Sequence, residues 1–409
     1  MATSRRTFLQ LVGANSLAAA ALGRPSAAVA EQARDRSGVA TDAAGVIRLS
    51  ANENSNGPGE KVLAAIQESF GRVNRYPFQT AAKLREAVAA SNAVPTDHLT
   101  LGCGSSEILD AAVMAFVEKD HGIVTALPTF ELVGDLGKHM GVSVAEVPVT
   151  KGLELDLGQM SEKAAGAGFV YICNPNNPTG ALHGAKAIEE FVSDTLRRDP
   201  HVTILIDEAY HEYVEREDYK TAIALAISNP RVIVSRTFSK IYGLAGMRIG
   251  YAIGQPDTIR RIDKFLDPLR LSCLSSTAAL TAHSDPLRVP DQRQRNHDAR
   301  AYTVNALKDG GFPVVPSEAN FIMFDTKRDI RQFAADCRAK GIEVARPFPP
   351  LTTHARVTIG TMDEMKKASE VMRQVLSASA PSALRRDRSE PAFATLSREP
   401  YRPGLLREC

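Results

Sequence analysis

The feature that most constrains this chain is a recurrence of short, continuous apolar runs set among longer helical patterns. The runs "GIVTALP", "GFVYICNP", "VTILIDEAY" and "RVIVSRTFS" are rich in Val and Ile and have the length of strands. They do not alternate apolar with polar residues, so both faces of each strand need covering. Around them, "KVLAAIQESFG" and "TAAKLREAVAAS" carry apolar residues at helical spacing. Strands buried on both faces and connected through helices predict an α/β fold, with a mostly parallel central sheet sandwiched by helices. From about Pro286 the pattern changes. "ARAYTVNALKDGGFPVV" and "DIRQFAADCRAKGIEVA" read as helices, and "ANFIMFD" and "ARVTIGT" read as strands. These predict a smaller α+β C-terminal domain.

The ends read differently from the body. "SRRTFLQLVGANSLAAAALG" places Arg5 and Arg6 before a weakly apolar run, and "SAAVA" follows with small residues at Ala28 and Ala30. This is the pattern of an export signal with an A-x-A cleavage site, and the paired arginines point to the twin-arginine route. The run is short for a span of about 20 apolar residues; a disordered basic start or a short membrane anchor are the alternatives. Export would place the protein in the periplasm, with contact to a membrane only in transit. The alternative location is the cytoplasm. The tail carries Pro, Arg and Ser without apolar periodicity and reads as disordered. The expected divisions are a signal at 1–30, a spacer at 31–46, an N-terminal segment at 47–75, a large domain at 76–285, a small domain at 286–379 and a tail at 380–409.

Composition excludes some function classes. Forty-nine basic and 47 acidic residues give a net charge of +2. No clustered positive charge marks a nucleic-acid surface. The five cysteines are widely spaced and odd in number. They form neither a disulfide framework nor a zinc-ligand pattern.

In open α/β sheets, ligands gather beyond the carboxyl ends of the strands. The chemistry-bearing residues fall there, one strand end after another. In "LGCGSSEILDAAVMAF" a glycine-rich turn with Gly104, Ser105 and Ser106 opens a helix. Such a start favours an anion, although a Ser there can equally be a plain N-cap. "NPNNPTG" follows the strand "FVYIC"; two prolines would stiffen this turn and aim the Asn177 amide. "ILIDEAY" ends a strand with Asp207, a carboxylate that is costly to bury unless it meets a cation. A helix cap or an ordinary ion pair is the alternative for it. In "SRTFSKIYGLAGMRIGY" a single amine, Lys240, sits among Thr237, Ser239 and glycines, with Arg248 eight residues on.

An amine can form a Schiff base with an aldehyde. Pyridoxal phosphate has an aldehyde, a ring nitrogen, a phenolic oxygen and a phosphate, each needing a different partner. Lys240 suits the aldehyde and Asp207 the ring nitrogen. Asn177 and Tyr210 suit the phenolic oxygen. Thr237, Ser239, Arg248 and the Gly104–Ser106 turn suit the phosphate. Phe130, in "LPTFEL" after another strand, could stack on the ring.

The order "GCGSSE … NPNNPTG … DEAY … TFSKIYGLAGMRIGY … ARVTIGT" resembles fold-type I pyridoxal-phosphate aminotransferases of the class I/II group, in particular the histidinol-phosphate aminotransferase-like branch. The resemblance covers about 47–377. It implies that Lys240 is the Schiff-base lysine and proton shuttle, with Asp207, Tyr210 and Asn177 in the roles above. It implies that Arg356 binds the substrate carboxylate, although on sequence alone Arg356 is an ordinary strand arginine. It also implies that Asn52, in "LSANENSNGP", lines the pocket. Through "NRYPFQ" it implies that Tyr76 reaches the neighbouring subunit's cofactor phosphate, hence a homodimer with shared active sites. The expected partners are an amino donor and a 2-oxo acid acceptor.

Asn56 stands where histidinol-phosphate enzymes commonly have a tyrosine. This departure and the export signal both weigh against histidinol phosphate as the substrate. The cofactor-holding motifs leave a decarboxylase or lyase open beside a transaminase, because they do not choose which α-carbon bond breaks. A non-catalytic cofactor-binding regulator would need a DNA-binding module, and no basic helix-turn-helix pattern is present.

Overall fold

The structure is a computed structural model and describes residues 45–378. The export signal, nearly all of the spacer and the C-terminal tail lie outside the described residues.

The large sheet has seven strands. They are β2 (Leu99–Gly102), β3 (Ile123–Leu127), β4 (Val144–Pro148), β5 (Phe169–Cys173), β6 (Thr203–Asp207), β7 (Val232–Thr237) and β8 (Gly250–Ile253). Their order is β2-β8-β7-β6-β5-β3-β4, and only β8 runs antiparallel to its neighbours. The continuous apolar runs are explained by packing on both faces. Val170, Ile172, Ile204, Ile206, Val232 and Val234 enter one core, which also holds Leu84 and Val88 of α2 (Phe78–Ser91). Phe169, Tyr171, Cys173, Leu205 and Ile233 face the other, with Ile108 and Leu109 of α3 (Gly104–Phe116). Successive strand residues point to opposite faces, so each run feeds two cores at once. Full burial of each Val or Ile side chain contributes about 1.5–3 kcal/mol before entropy is counted.

A second lobe is built on two short pairs. β9 (Phe321–Asp325) pairs antiparallel with β11 (His354–Thr358), and β1 (Ile47–Leu49) pairs parallel with β10 (Ile342–Val344). Helices α10 (Arg288–Asp309), α11 (Ile330–Ala339) and α12 (Met362–Ser377) pack with these strands around a separate core containing Ile322, Phe324, Phe333, Ala355 and Val357. The string "DIRQFAADCRAKGIEVA" is not one helix. The chain turns at Gly341, whose φ of +84° ends the helical path, and continues as β10.

Candidate active site

The carboxyl ends of β3, β5, β6 and β7 open into one cavity of about 760 Å³, and side chains of the small lobe line its other side. Phe130, Asn177, Asp207, Tyr210, Thr237, Ser239, Lys240, Arg248, Ser105, Ser106 and Arg356 all reach it. Residues distant in the sequence thus meet at one place because each follows a neighbouring strand of the same sheet.

Asp207 ends β6 and is 3% exposed. Register places it beside Cys173 of β5 on one side and Ser235 of β7 on the other. The Ser235 hydroxyl donates to it over 2.8 Å, and the Tyr171 hydroxyl donates over 2.9 Å. Burial pushes its pKa up to about 6, against these two hydrogen bonds and the Lys240 charge, which pull it down. Sequence reasoning missed Tyr171 and Ser235. The signal for Ser235 was available: it is the polar interruption of an apolar run, at the level of the carboxylate next door.

Lys240 lies beyond β7, 7% exposed, with its Nζ 5.7 Å from the centroid of the Tyr210 ring. Tyr210 packs edge-on against Phe321 at 5.1 Å. Its hydroxyl accepts a hydrogen bond from Asn52 Nδ2 at 3.0 Å, and burial raises its pKa. Asn52 does not line the cavity as expected. It is fully buried behind Tyr210, with its backbone N–H donating to Thr358 Oγ1 and that hydroxyl donating to its side-chain oxygen. Its φ of 54° is a conformation that Asn tolerates better than most residues. Ala51 and Glu53 on either side of it reach the cavity instead.

The anion end of the cavity is formed by α3 and the segment after β7. Cys103, not a serine, occupies the N-cap position of α3, so Ser105 and Ser106 lie in its first turn. The N–H groups of that turn have no partner within the helix. Arg248 approaches Ser106 and Ser239 at 3.4 Å each, the long end of hydrogen bonding. Thr237 donates to Ser239 over 2.9 Å. Gly104 has φ +78°, and a Cβ built on it would come within 2.3 Å of the Arg248 guanidinium. The positive φ favours glycine here, and a side chain would also have to push the end of the arginine aside.

Arg356 explains itself by alternation. Its neighbours Ala355 and Val357 enter the small-lobe core, so the side chain between them points the other way. It donates to Asn177 Oδ1 at 2.6 Å and to the Ser50 carbonyl, and its guanidinium lies 4.7 Å from the Phe348 centroid. The loop carrying Phe130 is fastened to the "NPNNPTG" loop by Thr129 donating to Asn176 Oδ1 at 2.7 Å. Tyr76 is not brought to this cavity. It is 67% exposed, with its ring 5.8 Å from that of Phe78.

Residues 44–372 match the family Aminotransferase class I and II. The chain is 35% identical to a histidinol-phosphate aminotransferase of Moorella thermoacetica, over 81% of this chain and 86% of that protein. It is 34% identical to an aromatic amino acid aminotransferase of Mycobacteroides abscessus, over 77% of this chain and 89% of the relative. Among solved structures, it is similar to the histidinol-phosphate aminotransferase of Sinorhizobium meliloti in complex with pyridoxal-5'-phosphate. That match has a TM-score of 0.75 and 27% identity, covering 81% of this chain and 91% of the other.

The residues present fit this cofactor. A buried amine, a buried carboxylate, an amide and a phenol lining the same cavity, and a hydroxyl-and-guanidinium cradle that a single Cβ would fill are the donor set its four functional groups require. The chain belongs to the class I and II aminotransferases, with the fold-type I architecture, and is a pyridoxal-phosphate-dependent transaminase similar to histidinol-phosphate aminotransferases.

Proposed function

We propose that this transaminase moves an amino group between an α-amino acid and a 2-oxo acid, with Lys240 as the residue that binds the cofactor and carries the proton. The supporting observation is the meeting of Lys240 and Asp207, both buried, in one cavity with a phosphate-type cradle and with Arg356 on the opposite lobe. When bound, the cofactor supplies an electron sink for charge developing at the substrate α-carbon. Asp207, held by Ser235 and Tyr171, presents a fixed negative charge to the ring nitrogen. Asn177 and Tyr210 serve the phenolic oxygen, and Asn52 is a positioning residue that holds the Tyr210 hydroxyl. Ser105, Ser106, Thr237, Ser239 and Arg248 hold the phosphate, and Phe130 covers the ring. Arg356 anchors the substrate carboxylate, which sets the α-carbon within reach of the Lys240 amine. That amine takes the α-proton and returns it to the cofactor side.

We infer further that the working form is a homodimer in which Tyr76 completes the partner's phosphate site. Phe70, Val73, Tyr76 and Phe78 are each more than half exposed, an apolar stretch of the kind an interface covers. The N-terminal sequence supports export by the twin-arginine route.

The test is a single-turnover experiment on the purified holoenzyme. An effective amino donor converts the bound cofactor spectrum to that of its amine form, without release of carbon dioxide. Carbon dioxide release with an unchanged spectrum would contradict transamination.

A further inference from the structure

The distal end of the cavity carries a second guanidinium beside the carboxylate anchor. Arg346 and Arg356 lie 4.6 and 4.7 Å from the centroid of the same ring, Phe348. The two guanidiniums are therefore never further apart than those distances combined. Two guanidiniums within that bound are candidates to grip the two ends of one short dicarboxylate, each by parallel hydrogen bonds. Arg346, however, is already engaged. Its Nη2 donates to the carboxylate of Glu131, which stands next to Phe130 on the other lobe, and its Nη1 donates to the Pro347 carbonyl at 3.0 Å. A second arginine at the same mouth, Arg48, is likewise matched by Glu53 at 2.7 Å. Asp110 and Asp135 add further carboxylates to the lining. Arg346 and Arg48 thus each meet a carboxylate, and apolar lining is supplied by Leu132, Leu136 and Phe348.

We propose that Glu131 is a specificity-determining residue: by occupying Arg346 it makes the distal pocket reject a second anionic group and accept amino acids with uncharged, apolar or aromatic side chains. This rests on the reading of Arg356 as the carboxylate anchor. A dicarboxylate or a phosphate-bearing donor must displace Glu131 from Arg346 and then sit beside a repelling carboxylate. Both guanidinium and carboxylate are partly exposed, so displacement alone is worth at most about fivefold in affinity, and the like-charge contact adds to it. An aromatic side chain leaves the pair intact and packs on Phe348.

The experiment is calorimetric titration of the holoenzyme with two unreactive ligands, 3-phenylpropanoate and glutarate, in the wild type and in Glu131→Gln. The wild type is expected to bind 3-phenylpropanoate more tightly. Glu131→Gln is expected to gain about fivefold or more for glutarate while still binding 3-phenylpropanoate, which shows that the pocket is intact. Adding Arg346→Gln to that variant should erase the gain. Equal wild-type binding of the two ligands, or no gain for glutarate in Glu131→Gln, overturns the role of Glu131 and leaves the Arg356 anchor standing. Failure of both ligands to bind the wild type overturns the anchor as well.

Discussion

Arg356 donates to Asn177 Oδ1 over 2.6 Å, and this hydrogen bond joins β11 of the small lobe to the loop that follows β5 of the large one. The residue assigned to the substrate and a residue assigned to the cofactor are therefore held by each other. Replacement of Arg356 by Gln keeps a hydrogen-bonding amide but removes the charge. A charge-assisted bond contributes about 1.5–3 kcal/mol, so KM for both amino acid and oxo acid should rise by about 10- to 100-fold. Steady-state kinetics separates this from a loss of kcat, and the bound-cofactor spectrum should persist. An unchanged KM would remove Arg356 from substrate binding.

Asp207 gives a pH prediction for the cofactor-free protein. Its folded-state pKa, pushed up to about 6, lies above the ordinary 3.8. The folded form therefore holds more protons than the unfolded chain across that window, and stability falls as pH rises through it. The loss corresponds to about 3 kcal/mol at most. Asp207→Asn removes this titration. Its cofactor-free form should match wild type near pH 4 and exceed it in stability above pH 7, while cofactor affinity drops. Denaturant unfolding at both pH values checks this; a variant equally destabilised at each would contradict the burial argument.

Gly104→Ala tests the anion cradle. The new methyl must displace the Arg248 guanidinium, and the left-handed backbone adds about 1 kcal/mol of strain. Cofactor affinity should fall at least about tenfold, a change of roughly 1.4 kcal/mol, with the fold retained. Equilibrium dialysis with pyridoxal phosphate measures it, and unaltered affinity would mean that Arg248 does not serve the phosphate.

Behind the site, Arg236 and Glu208 form an ion pair at 2.8 Å with side chains 6% and 1% exposed. Glu208 also accepts from Thr221 Oγ1 and the Ala222 N–H. Removing one partner leaves a buried charge, so Glu208→Gln should cost about 3–5 kcal/mol of unfolding free energy. Replacing both partners by apolar residues of similar size should cost clearly less, a comparison that denaturant titrations make directly. If the single and double changes cost the same, the pair contributes only packing.

How much of this was legible in the sequence depends on how local the cause is. Asp207 and Lys240 could be read because each follows a strongly apolar run that commits the preceding residues to the sheet. The two faces of those runs could be read for the same reason. Arg356 looked ordinary, since its direction comes from alternation between Ala355 and Val357, whose burial depends on helices elsewhere in the chain. Asn52 was assigned to the wrong side of the wall because its side chain is taken up by Tyr210 and Thr358, the second of these 306 residues away. The Arg346–Glu131 pair spans 215 residues and carries no local pattern. β10 was missed because a three-residue strand supported by β1 is shorter than any periodicity can register.

The most direct measurement is the position of the covalent link. The purified holoenzyme is treated with borohydride, digested, and its peptides are mapped by mass spectrometry. The expected result is one phosphopyridoxyl adduct, on the peptide containing Lys240, and its absence from Lys240→Ala. An adduct on a different lysine, or none after incubation with pyridoxal phosphate, would contradict the assignment of Lys240.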